Sequence, residues 1–506
     1  MRGVVAAGHP LTAEAGADVL RAGGNAVDAA VAAVLMSFVA ESPLTGPGAG
    51  GFMLVHTGGE SHLLDFFVAA PGRGVEGREP TALVPIDVRF AEDAIQRFNV
   101  GPASNGAYGT TLGLAQTLER FGSAQLSDLT ADPARAAREG VEVVPMQAFL
   151  FTVLEPILNS TPECAAIYAP GGRLLREGDT IRLPELGDLL ERLGAEGPGF
   201  LYLGDVAHAV SDWVLERGGM LSRDDLASYE VIEREPARVS YRGREVLTNP
   251  PPSSGGILIA DALGILERLD QPHDPFLIAE VMESTNRARD EAFLEGLRTE
   301  GFLERFLAKQ ALDSVATEVR SRLGNTTHIS VMDAEGACAS VTCSNGSGSG
   351  VVVPGTGVHL NNMLGEQDLN PLGFHRHTPG VRVPSMMAPT VVLRDGRPEI
   401  AIGSAGSNRI RSAILQTILG IEDHGLPAQE AVSAPRIHVE EGQVDAEPGV
   451  DGAALDLLEQ AGWTVRRWSE LNLFFGGVQA VARNPDTGRL TGGGDPRRGG
   501  VATVVG

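Results

Sequence analysis

Residues 324–350, GNTTHISVMDAEGACASVTCSNGSGSG, mark an abrupt change in the pattern of the chain. Residues 101–240, well before this segment, have mostly the apolar spacing of helices. From Thr326 onward the chain consists of short stretches rich in β-branched residues, beginning with THISVMD and ACASVTCS. The sequence therefore predicts a strand-rich half that starts at the pair Thr326 and Thr327.

The first hundred residues predict helices followed by strands. Residues 11–40 have the pattern of two helices, broken at Gly23 and Gly24, with Asn25 capping the second helix. The second helix is apolar on nearly all sides, which predicts that it is buried. The stretches FMLVHTGG and ESHLLDFF then predict two paired strands.

The remaining segments predict one turn and a mixed carboxyl-terminal region. Residues Thr248–Gly256, TNPPPSSGG, interrupt the helical patterns and predict a turn. Helices are predicted at 411–421 and 452–461, and a closing strand is predicted at 478–483. The sequence contains neither an internal repeat nor a linker long enough to separate independent domains.

Composition and charge exclude several classes of function. With 43% hydrophobic and 21% charged residues, the chain of 506 residues has the composition of a soluble globular protein. Its 65 acidic and 40 basic residues give a formal charge of −25, so its surface repels phosphate backbones and anionic lipids. We therefore expect neither a nucleic acid nor a membrane as a partner. The three cysteines are too few for a disulfide framework, which favours reduced thiols and a cytoplasmic location.

The chemistry of Thr326 suggests one catalytic use of this segment. A threonine hydroxyl in mid-chain is a weak nucleophile, because no nearby group is obliged to take its proton. If Thr326 attacks the carbonyl of Asn325, the amide becomes an ester, and hydrolysis of that ester gives Thr326 a free α-amine. Such an amine has an ordinary pKa of about 8 and can act as the base for the hydroxyl of its own residue. The pattern alone also allows the plainer interpretation, in which the threonine pair only opens a strand.

Blocks of sequence along nearly the whole chain resemble the γ-glutamyltranspeptidase family of amino-terminal-nucleophile hydrolases. The matching blocks are RAGGNAVDAAVAA, PLTGPGAGGFMLVH, LTNPPPSSGG, TTHISVMD, PGTGVHLNNM, PSMMAPT and IGSAGSNRI. The resemblance implies an α+β fold, a four-layer αββα sandwich with two central antiparallel sheets. It also implies cleavage of a precursor between Asn325 and Thr326. The products would be a mostly helical large subunit, residues 1–325, which contributes outer strands and a pocket wall, and a β-rich small subunit, residues 326–506, and both would build the sandwich.

The resemblance also assigns roles to residues around Thr326. Ser344 stands where the family has a threonine whose hydroxyl supports the nucleophile, and Gly406 and Ser407 match a Gly-Gly pair whose backbone N–H groups form the oxyanion hole. The positions that hold the α-amino and α-carboxylate groups of a γ-glutamyl substrate are matched by Asn345, Glu366 and Ser385.

The implied reaction is cleavage of γ-glutamyl or similar small acyl amides through a threonyl ester. The acyl group passes to water or to an amine, and neither a metal nor an organic cofactor is required. The implied partners are the small amide substrate and the two subunits of one precursor, and the resemblance allows a homodimer of processed heterodimers.

Three departures from the family pattern concern the substrate. Phe67 stands where the family has an arginine that clamps the substrate α-carboxylate, and a phenyl ring cannot replace a bidentate guanidinium. Met363 and Met386 replace two further polar residues. We therefore expect weak binding of γ-glutamyl groups, or a preference for another dicarboxylic monoamide or an acylated β-lactam. The candidate replacement anion holders are Arg73, Arg376, Arg382 and Arg409.

Two other classes of function stay open at the level of the sequence. The first is an uncleaved, inactive chain that acts as a binding protein. The second is a conventional serine hydrolase that uses Ser253 or Ser254, although TNPPPSSGG more closely predicts a turn that lines the pocket. His328, which follows the two threonines, is expected to have a structural role, because a terminal amine already provides the base.

Several other motifs have plain structural interpretations. Gly46–Gly51, GPGAGG, follows a predicted helix and precedes a strand, the reverse of a dinucleotide fingerprint, so a tight turn is favoured. His375 and His377 have no carboxylate or cysteine at ligand spacing, which favours a solvated loop over a metal site. Cys338 and Cys343 lie five residues apart in strand-like sequence and are predicted to point to opposite faces.

Overall fold

Two stacked sheets with helices on both outer faces form the structure, a computed structural model that describes residues 1–91, 94–269, 274–309, 326–371 and 373–506. The order of layers is helices, sheet, sheet, helices. The four-layer αββα sandwich implied by the family resemblance is therefore confirmed.

The first sheet contains the strand that follows Thr326. Its seven strands pair antiparallel throughout. In spatial order they are β22 (Val501–Val505), β1 (Gly3–Ala7), β11 (Thr327–Asp333), β12 (Cys338–Ser344), β2 (Gly50–Thr57), β3 (Glu60–Phe66) and β8 (Ile232–Arg234). All seven residues of β11 are buried, because the sheet is covered on both faces. The strand after Thr326 is thus an inner strand of the sandwich.

The second sheet lies over the first and is also antiparallel. In spatial order its strands are β21 (Leu490–Gly494), β20 (Gly477–Arg483), β16 (Arg397–Ala405), β15 (Thr390–Arg394), β10 (Arg244–Thr248) and β9 (Ala237–Tyr241). The predicted closing strand at 478–483 is β20, but β21 and β22 follow it, so the prediction that this strand ends the fold was wrong. Three glycines in β21, LTGGG, hide its strand pattern.

The other strands form small ribbons outside the two main sheets. They are β4 (Val84–Ala91) with β5 (Ala94–Val100), β6 (Val141–Glu142) with β7 (Thr180–Ile181), β13 (Val352–Val353) with β14 (Val358–His359), and the trio β17 (Ile437–Glu440), β18 (Gln443–Ala446) and β19 (Thr464–Arg467).

Helices cover the outer face of each sheet. Those that contribute to the core on the first sheet are α1 (Pro10–Ala22), α2 (Ala26–Ala40), α3 (Thr110–Phe121), α4 (Leu126–Glu139), α5 (Pro145–Leu158), α6 (Pro162–Tyr168), α7 (Pro184–Glu196), α8 (Asp205–Glu216) and α9 (Arg223–Ala227). Those that contribute to the core on the second sheet are α10 (Ser254–Leu266), α11 (Pro275–Ala288), α12 (Glu291–Gly296), α13 (Phe302–Lys309), α14 (Arg409–Glu422), α15 (Ala428–Ser433) and α16 (Gly452–Gln460).

The break between α1 and α2 is the one that the sequence predicts. Gly23 has a φ of 96°, a conformation that glycine adopts without steric cost, and it ends α1. Asn25 caps α2, and Asp28 completes a capping box with the Asn25 backbone. All fifteen residues of α2 are buried, as its apolar pattern predicts.

Apolar residues form one core between the sheets and one core under each helical layer. Cys338 lies in the core between the sheets and Cys343 in the core under α1 to α9, so the prediction of opposite faces is confirmed. The predicted turn at Thr248–Gly256 exists but leads directly into α10, which begins at Ser254. No helix in the described part of the chain has both the length and the apolarity needed to cross a bilayer.

Candidate active site

Thr326 lies directly before β11 and is buried, with 5% of its surface exposed. Continuing the antiparallel register of β11 and β12 by one residue places Thr326 opposite Ser344. The carbonyl oxygen of Thr326 accepts a hydrogen bond from Arg498 Nη1 at 3.3 Å. Asn325, the other residue of the predicted cleavage site, lies outside the described residues. The predicted nucleophile is therefore at the start of an inner strand, next to its predicted supporting hydroxyl.

Ser344 ends β12, where the chain turns into a glycine-rich loop. Its Oγ accepts a hydrogen bond from the backbone N–H of Gly346 at 2.7 Å. The N–H of Ser347 is within hydrogen-bond distance of both Asn362 Oδ1 (3.0 Å) and Glu366 Oε1 (2.9 Å). These contacts attach the loop after β12 to the segment that carries Glu366.

Asn345 and Glu366, two of the predicted substrate-binding residues, are both buried. The Asn345 amide nitrogen donates to Pro43 O at 3.4 Å, while its Oδ1 has no hydrogen-bond partner among the described residues. Burial, together with the neighbouring carboxyl group of Asp368, raises the pKa of Glu366 well above its ordinary value. An acid in this environment ionises more readily when a cation binds beside it, which suits the predicted contact with an amino group.

The predicted oxyanion-hole residues form the turn between β16 and α14. Gly406 has a φ of 121° and Ser407 a φ of 52°, so both adopt backbone conformations that side chains disfavour. A Cβ on Gly406 would come within 2.8 Å of the Gly476 Cα atom, so this position requires glycine. Ser407 instead has a side-chain hydroxyl that donates a hydrogen bond to the Asp368 carboxyl group. Asp368 thus supports the turn, a role that sequence reasoning missed.

Ser385, the third predicted substrate-binding residue, lies against the start of α10. Its carbonyl oxygen accepts hydrogen bonds from the Ser254 N–H at 2.8 Å and from Ser253 Oγ at 3.0 Å. Ser253 Oγ also lies 2.8 Å from Met387 O. The hydroxyl of Ser253 is therefore engaged with backbone carbonyls, a structural arrangement rather than that of an activated nucleophile. A strand, a turn and a helix do occur in succession here, from β10 to α10.

Phe67 follows β3 and is buried with the two methionines that depart from the family pattern. Its ring stacks on Phe52 with a centroid distance of 5.3 Å. Phe67, Met363 and Met386 all belong to the apolar core on the side of the second sheet, and each is at most 2% exposed. Three positions expected to be polar around a γ-glutamyl head group are thus part of one apolar cluster.

The four candidate anion-holding arginines differ in their surroundings. Arg73 and Arg376 are exposed. Arg382 Nε lies 3.2 Å from Asp65 Oδ1, and its guanidinium lies over the ring of Tyr229, so Arg382 is already paired. Arg409 is 4% exposed and stacks on Phe474. Its Nη2 lies 3.8 Å from Glu440 Oε2, so Arg409 is also paired, whereas its Nε and Nη1 atoms have no hydrogen-bond partner in the described parts of the chain.

Glu41 is a buried residue next to the predicted nucleophile that sequence reasoning missed. Its Oε1 accepts a hydrogen bond from Thr12 Oγ1 at 2.8 Å, and its Oε2 accepts one from Thr327 Oγ1 at 2.9 Å. Burial raises the pKa of Glu41 to about 7, although the two hydroxyl donors and the charge of Arg498 act in the opposite direction. The signal in the sequence was an acid, Glu41, directly after the long and mostly apolar stretch that forms α2.

The remaining predicted residues have structural surroundings. His328 lies between Thr342 Oγ1 at 2.8 Å and Ser330 Oγ at 2.9 Å, and burial lowers its pKa to about 3, which fits the expected structural role. His377 Nδ1 lies 2.9 Å from Arg298 Nη2. No group of three potential metal ligands occurs among the residues that the structure describes.

Comparisons with known proteins find similar proteins along nearly the whole chain. A family model described as gamma-glutamyltranspeptidase matches residues 12–505. The acylase ACY 1 proenzyme of Pseudomonas sp. (strain SE83) is 34% identical over an alignment that covers 100% of this chain and 94% of that protein. The glutathione hydrolase proenzyme of Escherichia coli (strain K12) is 31% identical, with coverage of 98% and 90%.

Among solved structures, a cephalosporin acylase from Bacillus halodurans superposes with a TM-score of 0.81 at 26% identity, covering 99% of this chain and 95% of that one. The relatives include both hydrolases and acylases, and several are named as proenzymes. The protein is therefore an amide-cleaving enzyme of the amino-terminal-nucleophile hydrolase type. From the match along its whole length, the chain belongs to the γ-glutamyltranspeptidase family.

Proposed function

We propose that the chain is a precursor that cuts the peptide bond entering Thr326, and that Thr326 then cleaves small acyl amides. The observation that carries this proposal is the position of Thr326 at the start of an inner strand, opposite Ser344. Ala405, which precedes the predicted oxyanion-hole residue Gly406, lines the same small cavity as Thr326. The proposed nucleophile, supporting hydroxyl and oxyanion donors come from β11, β12 and the turn after β16, and the shared cavity of Thr326 and Ala405 supports their assignment to one site.

In the proposed reaction, Thr326 Oγ attacks the acyl carbon of the substrate amide. The free α-amine of Thr326 takes the hydroxyl proton and delivers it to the leaving amine as the C–N bond breaks. The backbone N–H groups of Gly406 and Ser407 stabilise the negative charge on the carbonyl oxygen, and each such donor contributes about 3 to 4 kcal/mol in the transition state. Water, or an amine acceptor, then attacks the threonyl ester and restores the hydroxyl.

We further propose that the enzyme prefers acyl groups other than γ-glutamyl. The α-carboxylate of a γ-glutamyl group would face Phe67 without a guanidinium partner, and an unpaired charge in an apolar site costs several kcal/mol. Met363 and Met386 extend the apolar surface on the same side. Acylase-type substrates with an apolar acyl chain suit these residues better. For an acyl group that ends in a carboxylate, Arg409 is the proposed anion holder, because its Nε and Nη1 atoms have no hydrogen-bond partner among the described residues although its Nη2 is paired with Glu440.

A series of three anilides tests the substrate preference. Glutaryl p-nitroanilide lacks only the α-amino group of the γ-glutamyl compound, and pentanoyl p-nitroanilide replaces the remaining carboxylate with a methyl group. We expect kcat/KM of the processed enzyme to be at least about tenfold higher for pentanoyl than for γ-glutamyl, a difference of about 1.4 kcal/mol. A tenfold preference for γ-glutamyl would contradict the proposal. The ratio of kcat/KM for glutaryl to that for pentanoyl reports whether a cation, for which Arg409 is the candidate, holds the carboxylate.

Two other functions make different predictions. An uncleaved binding protein would give one persistent band on a denaturing gel and no turnover of any amide, whereas the proposed enzyme gives two bands. A serine hydrolase that uses Ser253 would keep its activity in a Thr326→Ala variant. The hydrogen bonds from Ser253 Oγ to two backbone carbonyls argue against this second possibility.

A further inference from the structure

Cutting the peptide bond before Thr326 turns this internal residue into the first residue of a new chain. Chain ends are poorly ordered unless other groups hold them. A misplacement of about 1 Å can lower catalysis by about a hundredfold. The contacts that fix the start of β11 without using the residues before Thr326 are therefore important for the processed enzyme.

Two such contacts are present in the described residues. Arg498 Nη1 donates to the carbonyl oxygen of Thr326 at 3.3 Å. The hydroxyl of Thr327 donates to Glu41 at 2.9 Å, and Glu41 in turn accepts from Thr12 in α1 at 2.8 Å. A Cβ on Gly8 would come within 2.6 Å of Glu41 Oε2, so glycine at this position leaves space for the carboxylate.

Glu41, Arg498 and Thr326 also line one small cavity of about 40 Å³. Four buried polar atoms of its lining residues have no hydrogen-bond partner in the described part of the chain: His9 Nε2, Gln147 Oε1, Gln479 Oε1 and Arg498 Nε. A cavity of this size has room for about two water molecules, and buried water typically bonds to two to four such polar atoms. The cavity is thus a polar site built against the nucleophile.

We propose that Glu41 is a positioning residue for the amino-terminal Thr326, acting through Thr327 and through water held with Arg498 in this cavity. The proposal rests on the proposed function, in which Thr326 is the nucleophile. Glu41 does not touch the substrate. It holds the start of β11 in place and sets the electrostatic surroundings of the new amine.

The charged groups that face Glu41 make this electrostatic role specific. Burial lowers the pKa of His9 to about 4 and that of His328 to about 3, so both imidazoles are neutral at the working pH. Burial also lowers the pKa of Arg498 to about 10, and its guanidinium stays charged at neutral pH. Glu41 is the acid among the residues that line the cavity.

Two groups beside the cavity therefore change charge near neutral pH in the processed enzyme. One is Glu41, whose pKa burial raises to about 7. The other is the Thr326 amine, with an ordinary pKa of about 8. Ionised Glu41 favours the ammonium form of Thr326 and so raises the pKa of this amine.

Glu41→Gln removes the negative charge of this side chain but keeps its size and its ability to hydrogen-bond the hydroxyls of Thr12 and Thr327. The variant therefore separates the effect of the charge from the effect of packing. Glu14→Gln, at an exposed acid on α1, is the matched control. The measurements are the rate of appearance of a fragment beginning at Thr326, and the pH dependence of kcat and KM for the processed fraction on a p-nitroanilide substrate. Glu41→Leu, which also removes the hydrogen bonds, provides a second and stronger variant.

For Glu41→Gln we expect kcat to fall about tenfold with KM changed less than twofold. The midpoint of the acid limb of kcat/KM should move down by at least about 0.5 pH units, because a negative charge near the amine is lost. For Glu41→Leu we expect a larger fall in kcat, and Glu14→Gln should match the wild type. A profile of Glu41→Gln that superimposes on the wild type overturns the proposal, as does a loss of activity with an unmoved midpoint.

The failure of this inference can be told apart from failure of the proposed function. If Thr326→Ala remains active, or active wild-type protein lacks a fragment beginning at Thr326, the nucleophile itself is wrong. If Thr326→Ala is inactive and Glu41→Gln behaves like the wild type, only the role of Glu41 is wrong.

Discussion

Replacing Ser407 tests how the oxyanion turn is stabilised. Ser407 has a φ of 52°, and a left-handed conformation costs a residue with a side chain about 1 to 2 kcal/mol relative to glycine. Its hydroxyl donates to the buried carboxyl group of Asp368, a hydrogen bond whose removal costs about 1 to 3 kcal/mol. Ser407→Ala loses this bond and keeps the strained backbone, so we expect about 2 kcal/mol of destabilisation.

Ser407→Gly loses the same hydrogen bond but relieves the backbone, so the two effects partly cancel. We expect a net destabilisation of about 1 kcal/mol, which places the glycine variant about 1 kcal/mol above the alanine variant in stability. Asp368 Oδ1 already has no partner in the described part of the chain, which makes the lost hydrogen bond costly.

Urea unfolding of both variants, in an uncleaved Thr326→Ala background, measures the difference. In this background every variant remains one uncut chain, so differences between the unfolding midpoints report differences in stability alone. If Ser407→Ala is as stable as Ser407→Gly, backbone strain at this position is refuted. If Ser407→Gly is clearly more stable than the parent, the contribution of the Asp368 bond is refuted.

Three further predictions concern the nucleophile, the substrate and pH. Thr326→Ala should abolish cleavage of the chain, measured on a denaturing gel, and turnover of substrate, measured in an anilide assay. Ser253→Ala should retain cleavage and turnover and lose about 1 kcal/mol of stability. Phe67→Arg should raise the glutaryl to pentanoyl ratio of kcat/KM at least about tenfold, whereas Phe67→Leu should leave it within threefold; equal ratios in the two variants would contradict the assigned position. Glu41 binds a proton in the folded state at a pKa of about 7, against 4.5 as its ordinary value, so the stability that it contributes is complete below pH 4.5 and is lost as the pH rises through 7. The uncleaved parent should therefore lose up to about 3 kcal/mol more than its Glu41→Gln variant between pH 4.5 and 8.5 in urea unfolding, and equal losses would refute this origin.

Local sequence signals predicted the parts of the fold that depend on neighbouring residues. The glycines at 23 and 24, with Asn25 after them, fix the break between α1 and α2 through backbone freedom and capping. The β-branched residues after Thr326 predict β11, and the spacing of Cys338 and Cys343 predicts their opposite faces. Each of these features follows from residues a few positions apart.

Contacts between distant segments were not accessible to the same reasoning. Glu41 meets Thr327 only because α2 packs on the sheet that contains β11, and Asp368 meets Ser407 only because a loop folds over the turn after β16. The four arginines proposed as anion holders could not be compared until the partners of Arg382 and Arg409, which are Asp65 and Glu440, were known. Glycines in β21 likewise concealed a strand that its pairing with β20 defines.

Amino-terminal sequencing of purified, catalytically active protein tests directly whether the peptide bond that enters Thr326 is cut. We predict two chains, one of which begins Thr-Thr-His and contains residues 326–506. Active protein in which no chain begins at Thr326 would contradict it.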